Sequence, residues 1–174
     1  MENQQKPTKN IALNYGLILG VASILLSVII YAMGMAYKQD WKTGSISFII
    51  TIVVIILGIK KYKEANNGFL SLGQGLKTGV GIALIGAVIG IAYTLIFINV
   101  IEPDFMEKTL EISRQKMLEN PNLSEDQIDQ GLEMQRKFSS PAIIAAVGLV
   151  WSLFIGFVVS LIASLVMKRT EEMH

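Results

Sequence analysis

Cysteine is absent from this chain, histidine occurs once, at His174, and no Asp, Glu, Lys or Arg interrupts four long stretches of it. Without cysteine there are no disulfides, thiolate metal sites or cysteine nucleophiles to consider. A single histidine at position 174 of 174 reads as a bystander. Charged residues make up only 17% of the chain, against about a quarter in soluble domains. They sum to +1 and form no basic stripe, which excludes nucleic acid as a partner. What fills the space instead is apolar: 52% of residues are hydrophobic and the mean hydropathy is +0.50. A membrane protein is the class this composition fits.

The uncharged stretches are Ile11 to Tyr37, Thr43 to Ile59, Thr78 to Ile101 and Ala142 to Met167. A helix needs roughly 20 apolar residues to cross the hydrocarbon core. Three of the four stretches exceed that, and the second, at 1.5 Å per residue, still reaches about 25 Å with Trp41 and Tyr62 as interfacial anchors. Its run "SFIITIVVIILGI" is rich in β-branched residues, yet an open strand in lipid leaves backbone groups unpaired, so a helix is expected there too. The first stretch is longer than a signal-peptide core and no A-x-A site follows it, so it is read as a retained helix. The expected fold class is therefore all-α, a single membrane domain over residues 1–174 built on four transmembrane helices.

Four spans place both termini on one side. Lys6, Lys9, Lys60, Lys61, Lys63, Lys77, Lys168 and Arg169 fall there, and the other seven basic residues fall opposite. The numbers alone barely differ. The cluster "KKYK" abuts a span directly, however, and the long third connection carries nine acids, so the positive-inside tendency sets both termini in the cytoplasm.

The stretch "GLKTGVGIALIGAVIG" holds five glycines in sixteen residues. It is not a P-loop: Gly68 and Gly73 have the glycine spacing, but Gln74 and Gly75 stand where Lys and Ser/Thr are required. It is not a dinucleotide fingerprint either, since Leu84 occupies the third glycine position after Gly79 and Gly81. As a helix face, Gly75, Gly79, Ala83, Gly86, Gly90 and Thr94 form one stripe of small residues. The first span repeats it with Gly16, Gly20, Ser23, Ser27 and Gly34, and the fourth with Gly148, Ser152, Gly156, Ser160 and Ser164. Small residues let backbones approach closely in lipid, where helices lack a strong hydrophobic drive to associate. Gly16, Gly20, Gly79, Gly86, Gly90, Gly148 and Gly156 are thus expected to be helix-packing positions. Helices one, three and four should make the tight contacts, with helix two peripheral; the sharper alternative makes one stripe an oligomer interface.

No ionisable acid or base lies inside a span, which weighs against a proton- or ion-coupled carrier. The uncharged candidates are Asn14, Thr51, Thr94, Asn99 and the serines of the fourth span, with Asn99 expected to bond to a neighbouring helix or to interfacial water. No nucleophile has a base beside it. No catalytic, cofactor-binding or metal residue is assigned.

Glu102 to Ser140 is too long for a plain turn and carries helix signals of its own. In "NLSEDQI", Ser124 and Gln127 form a capping box, with Leu123 and Ile128 as a hydrophobic staple. Ile128, Leu132, Gln135 and Phe138 then mark one face. "NPN" at 120–122 separates this helix from an earlier one over roughly 104–118, and Ser140 and Pro141 start the fourth span. The expectation is an extracytoplasmic helical hairpin over 102–140. Its acids lack the order of a calcium loop and read as solvated helix faces. On the opposite side "NNGFLSLGQGLKTG" is expected to lie briefly in the interface, with Lys60, Lys61 and Lys63 near anionic headgroups.

Together the run "GFLSLGQGLKTG", the helix ending "AYTLIFINVIEPDF", the spacer "NPNLSEDQID" and the closing "PAIIAAVGLVWSLFIGFVVSLIASLVMKR" resemble the bacterial membrane proteins grouped as domain-of-unknown-function family 4199, common in the Bacteroidetes. The resemblance spans Asn10 to Arg169 and implies a four-helix integral membrane protein with an extracytoplasmic helical insert. It brings no activity and no catalytic residues. The functional expectation is a non-enzymatic module that meets lipid or a membrane partner, itself included. The rival is a small oligomeric pore or carrier with Ser152, Ser160, Ser164 and Thr94 along its path.

Overall fold

Long uncharged runs hold helical geometry because each backbone N–H finds its carbonyl four residues back, within the segment itself. The computed structural model describes residues 5–37 and 41–169, and Lys38 and His174, both used in reading the charges, lie outside them. Among the described residues there are six α-helices and no strands: α1 (Gln5–Ala32), α2 (Trp41–Ala65), α3 (Leu72–Ile96), α4 (Phe105–Leu118), α5 (Glu125–Phe138) and α6 (Pro141–Met167). A π-helical turn, Phe97–Ile101, prolongs α3. Four of these elements, Thr8–Ala32 of α1, α2, α3 with its π turn, and α6, are long and apolar enough to cross a bilayer.

The ends of the spans differ from expectation for local reasons. α1 stops at Ala32 rather than running to Tyr37, because the chain turns at Gly34, whose φ of 66° suits glycine. α2 starts two residues earlier than expected and continues through Lys60, Lys61 and Lys63 to Ala65. The segment expected to lie in the interface folds as a tight turn. Asn67 and Gly68 take left-handed conformations, Leu70 is buried and pairs with Arg169 in an isolated antiparallel bridge, and Ser71 caps α3 in a reciprocal box with Gln74. Capping satisfies amide donors that an extended interfacial segment would leave to water.

α3 is the centre. α1 packs along one side of it and α6 along another, while α1 and α6 barely meet. Helix two is not simply peripheral. Its buried residues all lie in the second half, where Ile55, Ile59 and Tyr62 are fully enclosed and the helix touches α1, α3 and α6. The first half, with Trp41, Ile46, Phe48 and Ile49 exposed, does match the peripheral reading. Gly58 explains the difference, since its bare backbone meets Ile82 and Tyr15 with no room for a Cβ.

α4 and α5 pack on each other through Gln135, which donates to Ser113 at 3.1 Å, and through Met117 laid against Gly131. The Ser124 and Gln127 capping box forms at the start of α5, and Ile128 is buried. Phe138, expected on the same face, is 64% exposed; α5 passes directly into α6 across Ser139 and Ser140, and nothing described covers that ring.

Candidate functional site

Of the seven glycines expected at helix contacts, five lie against a neighbouring helix. Gly16 meets Ile85, Gly20 meets Ile89 and Gly86 meets Leu19 along the α1–α3 seam; Gly79 meets Ser160 and Gly156 meets Ala83 between α3 and α6. A Cβ on Gly20 would stand 2.7 Å from that of Ile89, closer than real side chains come. Ser160 and Ser164 are fully buried against Gly79 and Gly75, and the Ser160 hydroxyl donates to the Gly156 carbonyl. Ser152 bridges the two helices, donating to Ala83 O at 3.3 Å.

Gly90 and Gly148 differ. Neither has any neighbour within 4 Å of where a Cβ would stand. Both line a cavity of about 280 Å³ between α1, α3 and α6, to which α2 contributes Thr51 alone. The cavity lies where α2 has ceased to fill the space between the other helices. A second cavity, of about 310 Å³, shares Ser27, Tyr93, Thr94 and Ile144 with the first and continues it toward α4, where Phe97, Phe105 and Met106 form its wall. The two are one groove over α3. Thr94 donates to Gly90 O and Ser23 to Leu19 O, as hydroxyls in helices commonly do. Ser27 and Tyr93 have no hydrogen-bond partner among the described residues. Asn99, expected to bond to a neighbouring helix or to interfacial water, is exposed and donates to Leu95 O within its own helix.

At the α4 end of this groove sits a cluster that counting charges by segment did not reveal. Glu102 accepts from Tyr31 on one carboxylate oxygen and from Tyr37, at 3.0 Å, and Lys108 on the other. The π turn positions it, ending with the Glu102 N–H bonded to Phe97 O at 2.8 Å. Phe97 stacks edge-on against Tyr31 at 5.1 Å and Phe105 at 5.3 Å, and Tyr37 lies 5.2 Å from Phe105. Such pairs prefer tilted and edge-on geometries. The Glu102 side chain is only 14% exposed. The hydrogen bond from Lys108, followed by those from the two tyrosines, lowers its carboxyl from the usual 4.5 to about 2. The same bond raises the Lys108 ammonium above its ordinary value. The signal that could have pointed here is an acid at the end of an apolar run, in "INVIEPDF", with tyrosines closing the first span in "IIYAMGMAYK".

The opposite end of the bundle is also tied. Lys63 donates to Met167 O at 2.9 Å, at the α6 C-terminus where carbonyls lack helical partners, and Arg169 lies 5.9 Å over the Phe69 ring. Among the described residues no three metal-ligating side chains converge.

The family profile described as "Protein of unknown function (DUF4199)" matches residues 14–169. The chain belongs to this family. No curated protein and no solved structure matches it. The part that makes it a DUF4199 protein runs from the middle of α1 through the Arg169 bridge, and so includes the groove, the Glu102 cluster and every glycine contact described above.

Proposed function

We propose that this DUF4199 protein is a non-enzymatic four-span protein of the bacterial inner membrane, with both termini in the cytoplasm and α4 and α5 forming a helical hairpin outside. Its role in this reading is to engage lipid or a membrane partner. The observation that carries it is the outward face of the long helices. Leu13, Val53, Leu84, Val150 and Val166 are all exposed, on four different helices, and the exposed set around them is overwhelmingly apolar. Water penalises apolar patches of that extent, whereas lipid does not. The basic residues around Lys60 and the acids of α4 and α5 support the orientation.

The pore or carrier has less support in a single chain. Ser160 and Ser164 are enclosed between α3 and α6, while Ser152 and Thr94 line the groove, so the four residues share no path. A cytoplasm-dependent reporter fused after Arg169 is expected to be active, and a silent fusion overturns the orientation. Full-length protein in vesicles is expected to give no solute or ion flux; reproducible flux abolished by Ser152→Leu establishes the carrier instead.

A further inference from the structure

We infer that the α4–α5 hairpin is a lid, hinged where α3 ends and α6 begins and latched by Glu102 across the α4 end of the groove. The hairpin packs as a body of its own. α4 and α5 lie on each other and hardly touch the long helices. The continuous core of the bundle includes no residue of either, α4 buries none, and Ile128 of α5 is buried apart from that core. An element with so few buried apolar contacts to the remainder opens separately from it.

Both connections to the hairpin break helical geometry. On the way out, the π turn gives way to Glu102, which leaves the helical region at φ −137° and ψ 74°. On the return, Ser140 is extended with ψ 141°, and Pro141 has no N–H with which to carry the α5 ladder into α6. The breaks lie at one end of the bundle, where Ile98 and Ile144 line the same cavity. Rotation at a few such terminal residues moves a whole element. Glu102 sits within the first hinge and is bonded on both sides of it. Tyr31, from the last turn of α1, and Tyr37, just beyond, donate to it from the bundle, and Lys108 donates from the first turn of α4. Hydrogen bonds to an ionised group are the strong kind. While they hold, Phe105 and Met106 of α4 wall off the cavity of about 310 Å³, and a swing of the hairpin takes that wall away.

The chain has no cysteine, so introduced ones are labelled selectively. Spin labels on Asn122→Cys, in the exposed turn between α4 and α5, and on Gly44→Cys, where a side chain meets nothing, report the hairpin's position in the full chain in vesicles. With the cluster intact, one narrow distance is expected. Glu102→Gln is expected to raise the population at a second distance about tenfold, the scale of hydrogen bonds to a charge. Tyr31→Phe with Tyr37→Phe, which keeps both rings and removes only the bundle-side donors, is expected to do the same. Arg114→Ala, which removes an ion pair internal to the hairpin, is expected to leave the narrow distance unchanged. Closure is read by a water-soluble maleimide on Ile98→Cys, a position 7% exposed. Its labelling is expected to be about tenfold faster once the latch is cut, in step with the open population. One narrow distance in both latch variants, or a broad distribution with the latch intact, overturns the inference. So does an equal response to Arg114→Ala, or Ile98→Cys labelling that stays slow while the second distance grows.

Discussion

The two halves of the bundle use the same residues to opposite ends. In the half nearer Lys63 and Arg169, Gly58, Gly75 and Gly79 lie directly against a neighbouring side chain, and α2 fills the gap between α1, α3 and α6 with Ile55, Ile59 and Tyr62. In the half nearer α4, α2 has withdrawn, and Gly90 and Gly148 face empty space. Small residues at helical spacing therefore mark where a helix is thin, not what approaches it. In the closed half a second helix does; beside Gly90 and Gly148 there is a cavity.

The most severe way to test that contrast is to enlarge a glycine in the closed half. Gly79→Leu drives a side chain into Ser160, and Gly156→Leu drives one into Ala83. Each is expected to cost about 3 kcal/mol, seen as a large drop in the detergent melting temperature. Unchanged melting would erase the distinction between the halves. Also in the closed half, Ser71→Ala removes the α3 capping box and is expected to cost about 1 kcal/mol by the same assay. The open half should respond with the opposite sign. Gly90→Ala and Gly148→Ala meet nothing and improve helix propensity, so each is expected to raise stability by up to about 1 kcal/mol. A loss there would mean that these glycines pack against something after all.

Glu102 provides the gentlest probe, because it titrates only the open half. Its folded carboxyl sits at about 2 rather than 4.5. A depressed value means that the ionised form stabilises the fold above about pH 4.5, and that this contribution is lost as the pH falls toward 2. The difference in melting temperature between wild type and Glu102→Gln is expected to be flat above pH 5 and to close through the interval from 4.5 to 2. A difference independent of pH down to 2 would show that the carboxylate is not held by Lys108 and the tyrosines.

How much could be read beforehand follows the range of each interaction. The four long apolar helices were legible because the absence of charge is a property of the run itself. The Ser124 and Gln127 box was equally legible, being complete within four residues. The end of α1 lies short of the expected one because apolar residues continue through Met35, Ala36 and Tyr37 after Gly34 has already turned the chain. Helix two differs in its second half, where β-branched Ile55 fits against Gly79 of α3 without a small-residue stripe of its own; one glycine, Gly58, was enough. Lys108 is only six residues from Glu102, but the rest of the cluster was invisible because the two tyrosine donors come from positions 71 and 65 residues earlier, brought close by the α1–α3 seam. Gly90 and Gly148 shared the spacing of the others, and only the path of α2 distinguishes them.

The turn between α2 and α3 has a consequence for how the molecule is made. Lys63 finds Met167 104 residues further along, and Leu70 finds Arg169 at a similar remove. A ribosome delivering this chain releases the first helix pair long before either partner exists. Until α6 emerges, the turn therefore has only its own cap and left-handed residues to hold it, and closure of that end waits on α6.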